Sequence, residues 1–254
     1  MTRRRFYAPS SAFASEGSIV TLAHDEVRHL RDVLRLKRGD EVFVFDGEGR
    51  EYRCTVNECG RDYAKLNVDV EVPPARPESP LQLTLATGLL KGEKFDLVVQ
   101  KATELGVVRI VPVSTHRADV RVRDALDESR RTMRWQRIAL EAAKQSGRAR
   151  VPEISAPLSF ESLIESVSPD EEQLHFMFAE RSSLCLVETI TRLRVPPRAI
   201  IALTGPEGGW SDLEIAQACD AGWKIVTLGG RTLRAETAAI VINALLQHLF
   251  GDLR

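Results

Sequence analysis

Short runs in which apolar and polar residues alternate fill the stretch from residue 41 to residue 72. The runs are EVFVF, EYRCTV and AKLNVDVEV, and turn formers such as Asp46-Gly47-Glu48-Gly49 separate them. A period of two is typical of β-strands that bury one face. This part of the chain therefore predicts a meander or a small β-barrel. Before it, HDEVRHLRDVLRL carries apolar residues at helical spacing, and Gly39 marks the end of that helix.

A proline-rich segment, residues 73–80, follows the last of these runs. It holds four prolines in eight residues. Proline neither donates the backbone hydrogen bonds of a sheet nor continues a helix. We therefore expect a linker here, between one domain of residues 1–72 and a second domain of residues 81–254.

Beyond Leu81, predicted strands and helices alternate. The predicted elements are a strand LQLTLATG, a helix from Phe95 to Leu105, a strand VVRIVPV, a helix from about Arg130 to Ser146 that Gly147 closes, a strand from Leu174 to Phe178 followed by a helix, a strand from Ala199 to Leu203, a helix from about Asp212, a strand from Lys224 to Leu228 and a last helix to Phe250. Such alternation is typical of α/β domains with a mostly parallel sheet that is covered on both faces. Ligands of such sheets bind beyond the carboxyl ends of the strands.

Two glycine-bearing loops follow strands in this second region. The first, Gly205-Pro206-Glu207-Gly208-Gly209, leaves the backbone accessible because glycine has no side chain, and Ser211 with Glu214 forms a capping-box pattern at the next helix. The second, residues 228–237, reads LGGRTLRAET. Each loop alone also fits a tight strand-to-helix connection, and neither has the spacing of a dinucleotide-binding or phosphate-binding loop. The two together favour a ligand site.

The charge composition of the chain limits how it could bind nucleic acid. The net charge is −1, so any contact with nucleic acid has to be local. The stretch from Arg117 to Arg150 holds ten Lys or Arg against five acidic residues. This excess fits an RNA-facing surface and fits an ordinary solvated helix face equally well.

The cysteines and the apolar runs exclude several other classes. Four cysteines without paired C-x-x-C spacing predict reduced thiols, no disulfide scaffold and no bound metal. No apolar run has the length of a membrane span, and the first residues lack the apolar core of a signal peptide. We therefore expect no membrane contact and a cytoplasmic location.

The two loops, GPEGGWSDLEI and LGGRTLRAETAAIVINALLQ, together resemble the bacterial 16S ribosomal RNA (uracil-N3)-methyltransferase family, RsmE, of the SPOUT superfamily. The similarity extends to RRFY near the start, HLRDVLRLKRGD, KGEKFDLVVQKATELGVVRIVPV and RWQRIALEAAKQSGR. It covers nearly the whole chain. The chain departs from the family pattern at Trp210, where Phe or Leu is expected, and at Ala118, where serine is usual.

This resemblance implies a PUA-like β-barrel at the N-terminus and a C-terminal domain whose mostly parallel sheet carries a deep trefoil knot. It implies methylation of ring nitrogen 3 of one uridine in 16S ribosomal RNA, in free RNA or in the small subunit, with S-adenosylmethionine as cofactor and a homodimer as the assembly. The implied cofactor-binding residues are Phe178, Ala179, Glu180, Leu203, Thr204, Gly205, Glu207, Gly208, Gly209, Leu228, Gly229, Leu233, Arg234, Glu236, Thr237 and Ala238. A non-catalytic RNA-binding or ribosome-assembly protein on the same fold is the alternative.

Three residues are candidates for the chemistry. Neutral uracil is a poor nucleophile at nitrogen 3, so its proton has to leave as the methyl group arrives. Arg234 on the second loop and Arg117 after the strand that ends near Val113 could stabilise the negative charge on the uracil oxygens. Glu207 could orient the cofactor, or accept the proton if its pKa is raised. We expect RNA phosphates to be bound by Arg3, Arg4, Arg5, Arg123, Arg134, Lys144 and Arg148.

Overall fold

The computed structural model of the chain describes residues 3–14, 17–166, 173–180, 184–193 and 195–253. The chain divides into two compact units, of which the first comprises Met1–Glu78 with Leu140–Val151 and the second Ser79–Ala139 with Pro152–Arg254. The domain limits expected from the sequence, 1–72 and 81–254, stay predictions. None of the helices within the described ranges combines the length and the apolar character that a membrane span requires.

A five-stranded sheet forms the centre of the first unit. Its strands are β1 (Arg5–Tyr7), β2 (Ile19–Leu22), β3 (Glu41–Phe45), β4 (Glu51–Cys59) and β5 (Ala64–Val72). Their order is β1-β3-β4-β5-β2, and every pair is antiparallel except β1 with β3. The three strands predicted from alternation are confirmed, whereas β1 and β2 are too short to show a period.

The core of this unit is apolar and closed by one short helix. Phe6, Val44 and Leu66 are fully buried within it. The helix α1 (His24–Arg28) continues into a single π-helical turn, His29–Val33, which buries Leu30. The helical prediction for this segment is therefore confirmed, although its second half is wound more loosely than an α-helix.

A buried carboxylate ties the first strand to the sheet. The side chain of Glu51 is fully buried and accepts hydrogen bonds from Arg3 Nη1 at 2.8 Å, from Arg5 Nε at 3.1 Å and from the amide of Ala75 at 3.1 Å. The Arg5 guanidinium carbon also lies 4.6 Å from the centroid of the Phe45 ring. Because a buried charge needs such partners, these two arginines stabilise the unit from inside.

Among its described residues the second unit contains a seven-stranded, wholly parallel sheet and five complete helices, and a sixth helix, α3, begins in this unit and ends in the segment Leu140–Val151 of the first unit. The strands are β6 (Gln82–Gly88), β7 (Arg109–Ser114), β8 (Glu153–Ile154), β9 (Leu158–Ser159), β10 (Gln173–Phe178), β11 (Ala199–Thr204) and β12 (Lys224–Val226). The helices are α2 (Lys94–Glu104), α3 (Ala125–Ser146), α4 (Phe160–Glu165), α5 (Leu186–Thr191), α6 (Asp212–Asp220) and α7 (Ala235–Phe250). The strand order is β12-β10-β11-β6-β7-β8, with β9 also paired to β7. The predicted mostly parallel sheet is confirmed.

Several element limits differ from the prediction, β7 for example beginning at Arg109 instead of Val107, and hydrogen bonds of short polar side chains explain two of these differences. The last strand ends two residues early because the hydroxyl of Thr227 accepts the amide of Gly229 at 3.1 Å and begins a turn. Helix α3 begins at Ala125 because Asp124 Oδ1 accepts the amide of Asp127 at 2.8 Å. This bond satisfies a free N–H at the helix start, as an N-cap does.

Both faces of the sheet are buried, as β11 illustrates. Ile201 and Leu203 belong to a core cluster that also contains residues of α4 and α6. Ile200 and Ala202, which alternate with them and face the other way, are fully buried too. Strand β11 therefore reads as a continuous apolar run, which is typical of a parallel strand covered on both faces.

The strand register places the predicted loops at one edge of the sheet. Phe178 pairs with Thr204 on one side and with Val226 on the other, and Thr204 pairs with Thr87. From β6 the chain passes toward β7, whereas from the adjacent β11 it passes toward β12 on the opposite side. Neighbouring strands whose connections diverge leave a crevice at their carboxyl ends, where ligands of α/β proteins bind.

We predict that Glu51→Ala unfolds the first unit far more readily than the matched surface substitution Glu48→Ala. Removing Glu51 leaves Arg5, whose side chain is 9% exposed, without its carboxylate, and breaking a buried pair costs about 3–5 kcal/mol. Glu48 is 64% exposed and pairs with Arg50 on the surface, which is worth at most about 1 kcal/mol. Thermal and urea unfolding measure the difference. Equal losses for both variants would contradict the structural role of Glu51.

Candidate active site at the carboxyl edge of the parallel sheet

The first glycine loop approaches two other backbone segments so closely that side chains are excluded. A Cβ on Gly88, at the end of β6, would lie 2.6 Å from the nitrogen of Pro206. A Cβ on Gly208 would lie 2.7 Å from the carbonyl oxygen of Arg117. Both distances are shorter than any carbon tolerates, so the glycines are needed for these contacts. The loop is thereby held against the exits of β6 and β7.

Trp210 fixes the other end of this loop. It is 8% exposed, and its indole Nε1 donates a hydrogen bond to the carbonyl oxygen of Phe178 at 2.8 Å. Its ring packs 5.7 Å from that of Phe160. The Phe or Leu usual in the family pattern has no such donor, so the tryptophan joins the loop to the end of β10 by an extra bond.

The capping box predicted at Ser211 is present, and its glutamate makes one further hydrogen bond outside the helix start. The hydroxyl of Ser211 accepts the amide of Glu214 at 3.2 Å, and Glu214 Oε2 accepts the amide of Ser211 at 2.8 Å. The second carboxylate oxygen of Glu214 accepts the amide of His116 at 2.9 Å. The buried Glu214 therefore connects the start of α6 to the segment that follows β7.

The second glycine loop leaves β12 beside the end of β10. The amide of Ala179 donates to the carbonyl oxygen of Val226 at 2.9 Å. Gly229 and Gly230 then adopt left-handed backbone conformations, both with φ +72°, and the loop ends at Arg234. This residue is the N-cap of α7, and its side chain is exposed to solvent.

Lys94 joins the two loops. Its Nζ lies 3.0 Å from Glu207 Oε1 on the first loop and 4.0 Å from Glu236 Oε2 at the start of α7. Glu207 Oε1 also accepts the amide of Lys91 at 3.2 Å. A single ammonium group therefore holds a carboxylate from each loop, and the region between them carries two negative charges and one positive charge.

Hydrogen bonding lowers the pKa of Glu207. Partial burial alone would raise the pKa of Glu207, but hydrogen bonds from its own amide, from the Lys94 ammonium and from the amide of Lys91 lower the pKa below its ordinary value. Glu207 is consequently ionised at neutral pH. A lowered pKa is the opposite of what a general base for uracil needs, so the alternative role of orienting a ligand is favoured.

The structure brings most of the predicted cofactor-binding residues to this edge of the sheet. Phe178, Ala179 and Glu180 stand at the end of β10, Leu203 to Gly209 at the end of β11, and Leu228 to Arg234 after β12. Leu203 is fully buried in the core cluster, which leaves only its backbone for a ligand. Glu236, Thr237 and Ala238 form the first turn of α7, and the amide of Ala238 donates to the carbonyl of Arg234. Arg117 lies next to Gly208, with its Nη1 3.5 Å from the Gly208 carbonyl oxygen.

Five of the predicted RNA-binding cations have carboxylate partners instead. In the first unit Arg3 and Arg5 pair with Glu51, Lys144 pairs with Glu26 at 2.7 Å and Arg148 pairs with Glu78 at 2.7 Å. In the second unit Arg134 pairs with Asp96. Pairing reduces the charge that each of them offers to a phosphate. Arg4 and Arg123 are exposed.

Sequence reasoning missed Lys94 and Gly88. The position of Lys94 in the sequence could have indicated its role. The helix dipole disfavours a cation in the first turn of a helix, so a lysine there indicates a compensating partner. Gly88 gave no signal, because only the fold brings Pro206 beside it. Within the described ranges, no cluster of His, Cys, Asp and Glu side chains could hold a metal ion.

Two family models match the chain. One, described as an RNA methyltransferase domain, matches residues 77–247, and the other, described as an RNA methyltransferase PUA domain, matches residues 22–69. Together with the parallel sheet of the second unit, these matches confirm the predicted α/β methyltransferase domain and the predicted PUA domain at the N-terminus.

Several known proteins are similar over most of their length. Ribosomal RNA small subunit methyltransferase E of Synechocystis is 37% identical over 232 residues, which cover 90% of this chain and 74% of the relative. The protein of the same name from Bacillus subtilis is 28% identical, with 94% and 93% covered. A crystal structure of ribosomal RNA small subunit methyltransferase E from Neisseria gonorrhoeae bound to S-adenosyl methionine superimposes over all of both chains with a TM-score of 0.85 and 34% identity. A putative methyltransferase from Legionella pneumophila in complex with the same cofactor also reaches 0.85, at 29% identity.

We predict that Trp210→Phe destabilises the second unit more than Trp223→Phe does. The first substitution leaves the Phe178 carbonyl without its indole donor, at a cost of about 1–3 kcal/mol. Trp223 is also buried, but its Nε1 has no hydrogen-bond partner among the described residues, so its replacement removes no such bond. Urea unfolding of both variants compares the free energies, and a larger loss for Trp223→Phe would contradict the role given to Trp210.

Proposed function

Because this chain belongs to the ribosomal RNA small subunit methyltransferase E family, we propose that it transfers a methyl group from S-adenosylmethionine to ring nitrogen 3 of a uridine in 16S ribosomal RNA. The observation that carries this proposal is the pair of glycine loops at the carboxyl ends of β11 and β12, joined through Lys94 and flanked by the exposed arginines Arg117 and Arg234. No observation favours a non-catalytic assembly protein.

The residues at this edge fit S-adenosylmethionine. Glu236 Oε2 is buried and has no hydrogen-bond partner within the described part of the chain, and Lys94 Nζ, at 4.0 Å, is beyond hydrogen-bond reach. A buried carboxylate oxygen without a hydrogen bond is costly. A hydroxyl or amino donor of the cofactor would satisfy it. A Cβ on Gly229 or Gly230 would meet no atom within 4 Å, so glycine is favoured at these positions by the left-handed backbone and not by a close contact.

In the methyl transfer, the cofactor supplies the methyl group, and the arginines stabilise the charge that develops on the uracil. When bound, S-adenosylmethionine supplies a methyl group on a positively charged sulfur. The chain itself has to orient the uracil and to stabilise the negative charge that remains when nitrogen 3 loses its proton. Arg117, which contacts Gly208 of the first loop, and Arg234, which ends the second loop, are exposed guanidinium groups, and a guanidinium suits both the uracil oxygens and a flanking phosphate.

Correct orientation of the uracil and the cofactor accounts for much of the remaining lowering of the reaction barrier. Holding two reactants in the correct geometry lowers a barrier by up to roughly 7–11 kcal/mol. Glu207, which is ionised and bonded to Lys91 and Lys94, is suited to position the cofactor and the loop. Its lowered pKa makes it a weak proton acceptor. We therefore assign Glu207 a positioning role.

We also propose that the protein is a knotted, cytoplasmic homodimer. Leu245 and Leu249 lie one turn apart on α7 and are 36% and 39% exposed, and Leu97 on the contacting helix α2 is 40% exposed. These exposed apolar side chains on two contacting helices support a homodimer formed through α2 and α7. The family resemblance supports a trefoil knot in the second unit, and a ribosomal RNA substrate supports a cytoplasmic location.

We predict that Arg234→Ala abolishes methyl transfer while cofactor binding survives. Loss of one group that stabilises the developing charge lowers kcat by roughly 100- to 1,000-fold. The matched control is Arg231→Ala, an exposed arginine of the same loop, which should keep near-normal turnover. Incorporation of labelled methyl into small-subunit RNA measures kcat, and calorimetry measures cofactor affinity. Near-normal turnover of Arg234→Ala would remove this residue from the mechanism.

We also predict that Lys94→Ala weakens cofactor binding. Without the ammonium group, the carboxylates of Glu207 and Glu236 repel each other and the two loops separate. The pair is partly exposed, so we expect a roughly 3- to 10-fold increase in Kd. Lys101→Ala is the control, since Lys101 pairs with Glu104 at the other end of α2. Unchanged Kd in Lys94→Ala, or the same change in both variants, would argue against the link.

A further inference from the structure

A second concave site lies beside the proposed cofactor site. It is a pocket of about 400 Å³ in the second unit, between the first turns of α3, the start of α2 and the segments that follow β6 and β7. No residue proposed to bind the cofactor lines it. Its volume falls in the range of roughly 300–1,000 Å³ that is usual for sites of small ligands.

This pocket borders the first glycine loop through one short segment. Leu90 and Gly92 line the pocket, while the intervening Lys91 donates its amide to Glu207 and Lys94 donates its ammonium to the same carboxylate. The segment 91–94 therefore separates the two sites. A ligand in the pocket would be a close neighbour of a substrate that reacts at the glycine loops.

Arginines dominate the charge of the lining. Arg130, Arg131 and Arg134 stand on α3 against Asp96 and Asp127. Arg131 pairs with Asp127 at 3.0 Å, and Arg134 pairs with Asp96. In the described part of the chain Arg130 has no ion pair. It lies one helical turn from Arg134, so the two guanidinium groups share one face of the helix and present an excess positive charge to the pocket.

The rest of the lining is apolar and partly aromatic. Phe95 and Trp135 contact each other with ring centroids 4.3 Å apart, and Leu90 and Val120 stand with them in the lining. Both aromatic side chains are almost fully buried, so they form a rigid base for the pocket. An apolar base beneath guanidinium groups suits a ligand with a planar ring and an attached anion, because guanidinium planes stack on bases and bind phosphates.

We propose that this pocket binds a nucleotide of the RNA substrate adjacent to the methylated uridine, with its phosphate on Arg130 and Arg134 and its base against the apolar lining. The proposal rests on the proposed function and deepens it. It gives the enzyme a second point of contact with the RNA strand, and two fixed points on a strand define which nucleotide reaches the methyl donor.

The test compares Arg130→Ala with Arg137→Ala. Arg137 is an exposed arginine two turns further along α3, and it does not line the pocket. Small ribosomal subunits that lack N3-methyluridine, and the naked 16S RNA, are titrated across a range of salt concentrations, and methyl transfer and S-adenosylmethionine affinity are measured in parallel. We expect Arg130→Ala to weaken RNA binding roughly 5- to 20-fold, as loss of one charge-assisted contact does. The slope of log K against log salt should fall by about 0.7–0.9. Cofactor affinity and RNA binding by Arg137→Ala should match those of the unmodified protein.

A second substitution, which removes a negative charge, guards against a merely structural effect. Asp96→Asn removes the carboxylate that competes for Arg134, so RNA binding should tighten, whereas a variant that only damages the fold would bind more weakly. RNA containing 4-thiouridine should also cross-link to peptides that carry residues 90–96 or 127–135.

The outcomes separate this proposal from the proposed function. If the unmodified protein methylates uridine but Arg130→Ala binds RNA normally, or Arg137→Ala weakens binding as much, the pocket proposal is wrong and the proposed function stands. If Asp96→Asn, correctly folded, weakens binding, the pocket proposal is also overturned. If the unmodified protein neither binds nor methylates the RNA, the proposed function fails and the pocket proposal falls with it.

Discussion

The backbone contact between the end of β6 and the turn that follows β11 is the constraint on which the active site depends. Gly88 and Pro206 approach so closely that no side chain fits between them. This contact requires β6 and β11 to be neighbours in parallel register, which in turn requires two buried faces and an apolar run along β11. Once the register is set, the carboxyl ends of five strands, β6, β7, β10, β11 and β12, lie at one edge of the sheet. The glycine loops that follow β11 and β12 therefore begin at that edge.

Two charged side chains, Lys94 and Glu214, then link the loops that packing places at this edge. Lys94 stands between carboxylates of the two loops, and Glu214 joins the start of α6 to the segment after β7. Glu214 is buried and bonded on several sides, so it contributes more than an exposed pair would, whereas Lys94 is partly exposed and its link between the loops is weaker. They leave Arg117, Arg130 and Arg234 as exposed cations at the same edge. The site therefore separates cations that hold the fold from cations that are available to RNA.

That separation explains why local charge is a poor guide to the RNA surface. The basic stretch from Arg117 to Arg150 is a real excess, yet Arg134, Lys144 and Arg148 within it pair with carboxylates. Arg3 and Arg5 likewise serve the buried Glu51. A paired cation gives up part of its attraction for phosphate, because its partner has to be displaced or its charge shared. Among the exposed arginines of this stretch for which the described residues provide no ion pair, only a place in the lining of the pocket selects Arg130, which the sequence did not distinguish from its neighbours.

The sequence by itself determined the strands β3 to β5, the alternation of strands and helices after the proline-rich segment, the capping box at Ser211 and the two glycine loops, because period, turn residues and caps are local properties. The family pattern added the class of enzyme. Only the tertiary structure decided that Gly88 meets Pro206, that Lys94 links Glu207 to Glu236, that Glu207 is acidified and that an arginine-lined pocket adjoins the loops. These features join residues that are far apart in the chain, and their partners, burial and pKa are fixed by strand order and packing, which no local pattern encodes.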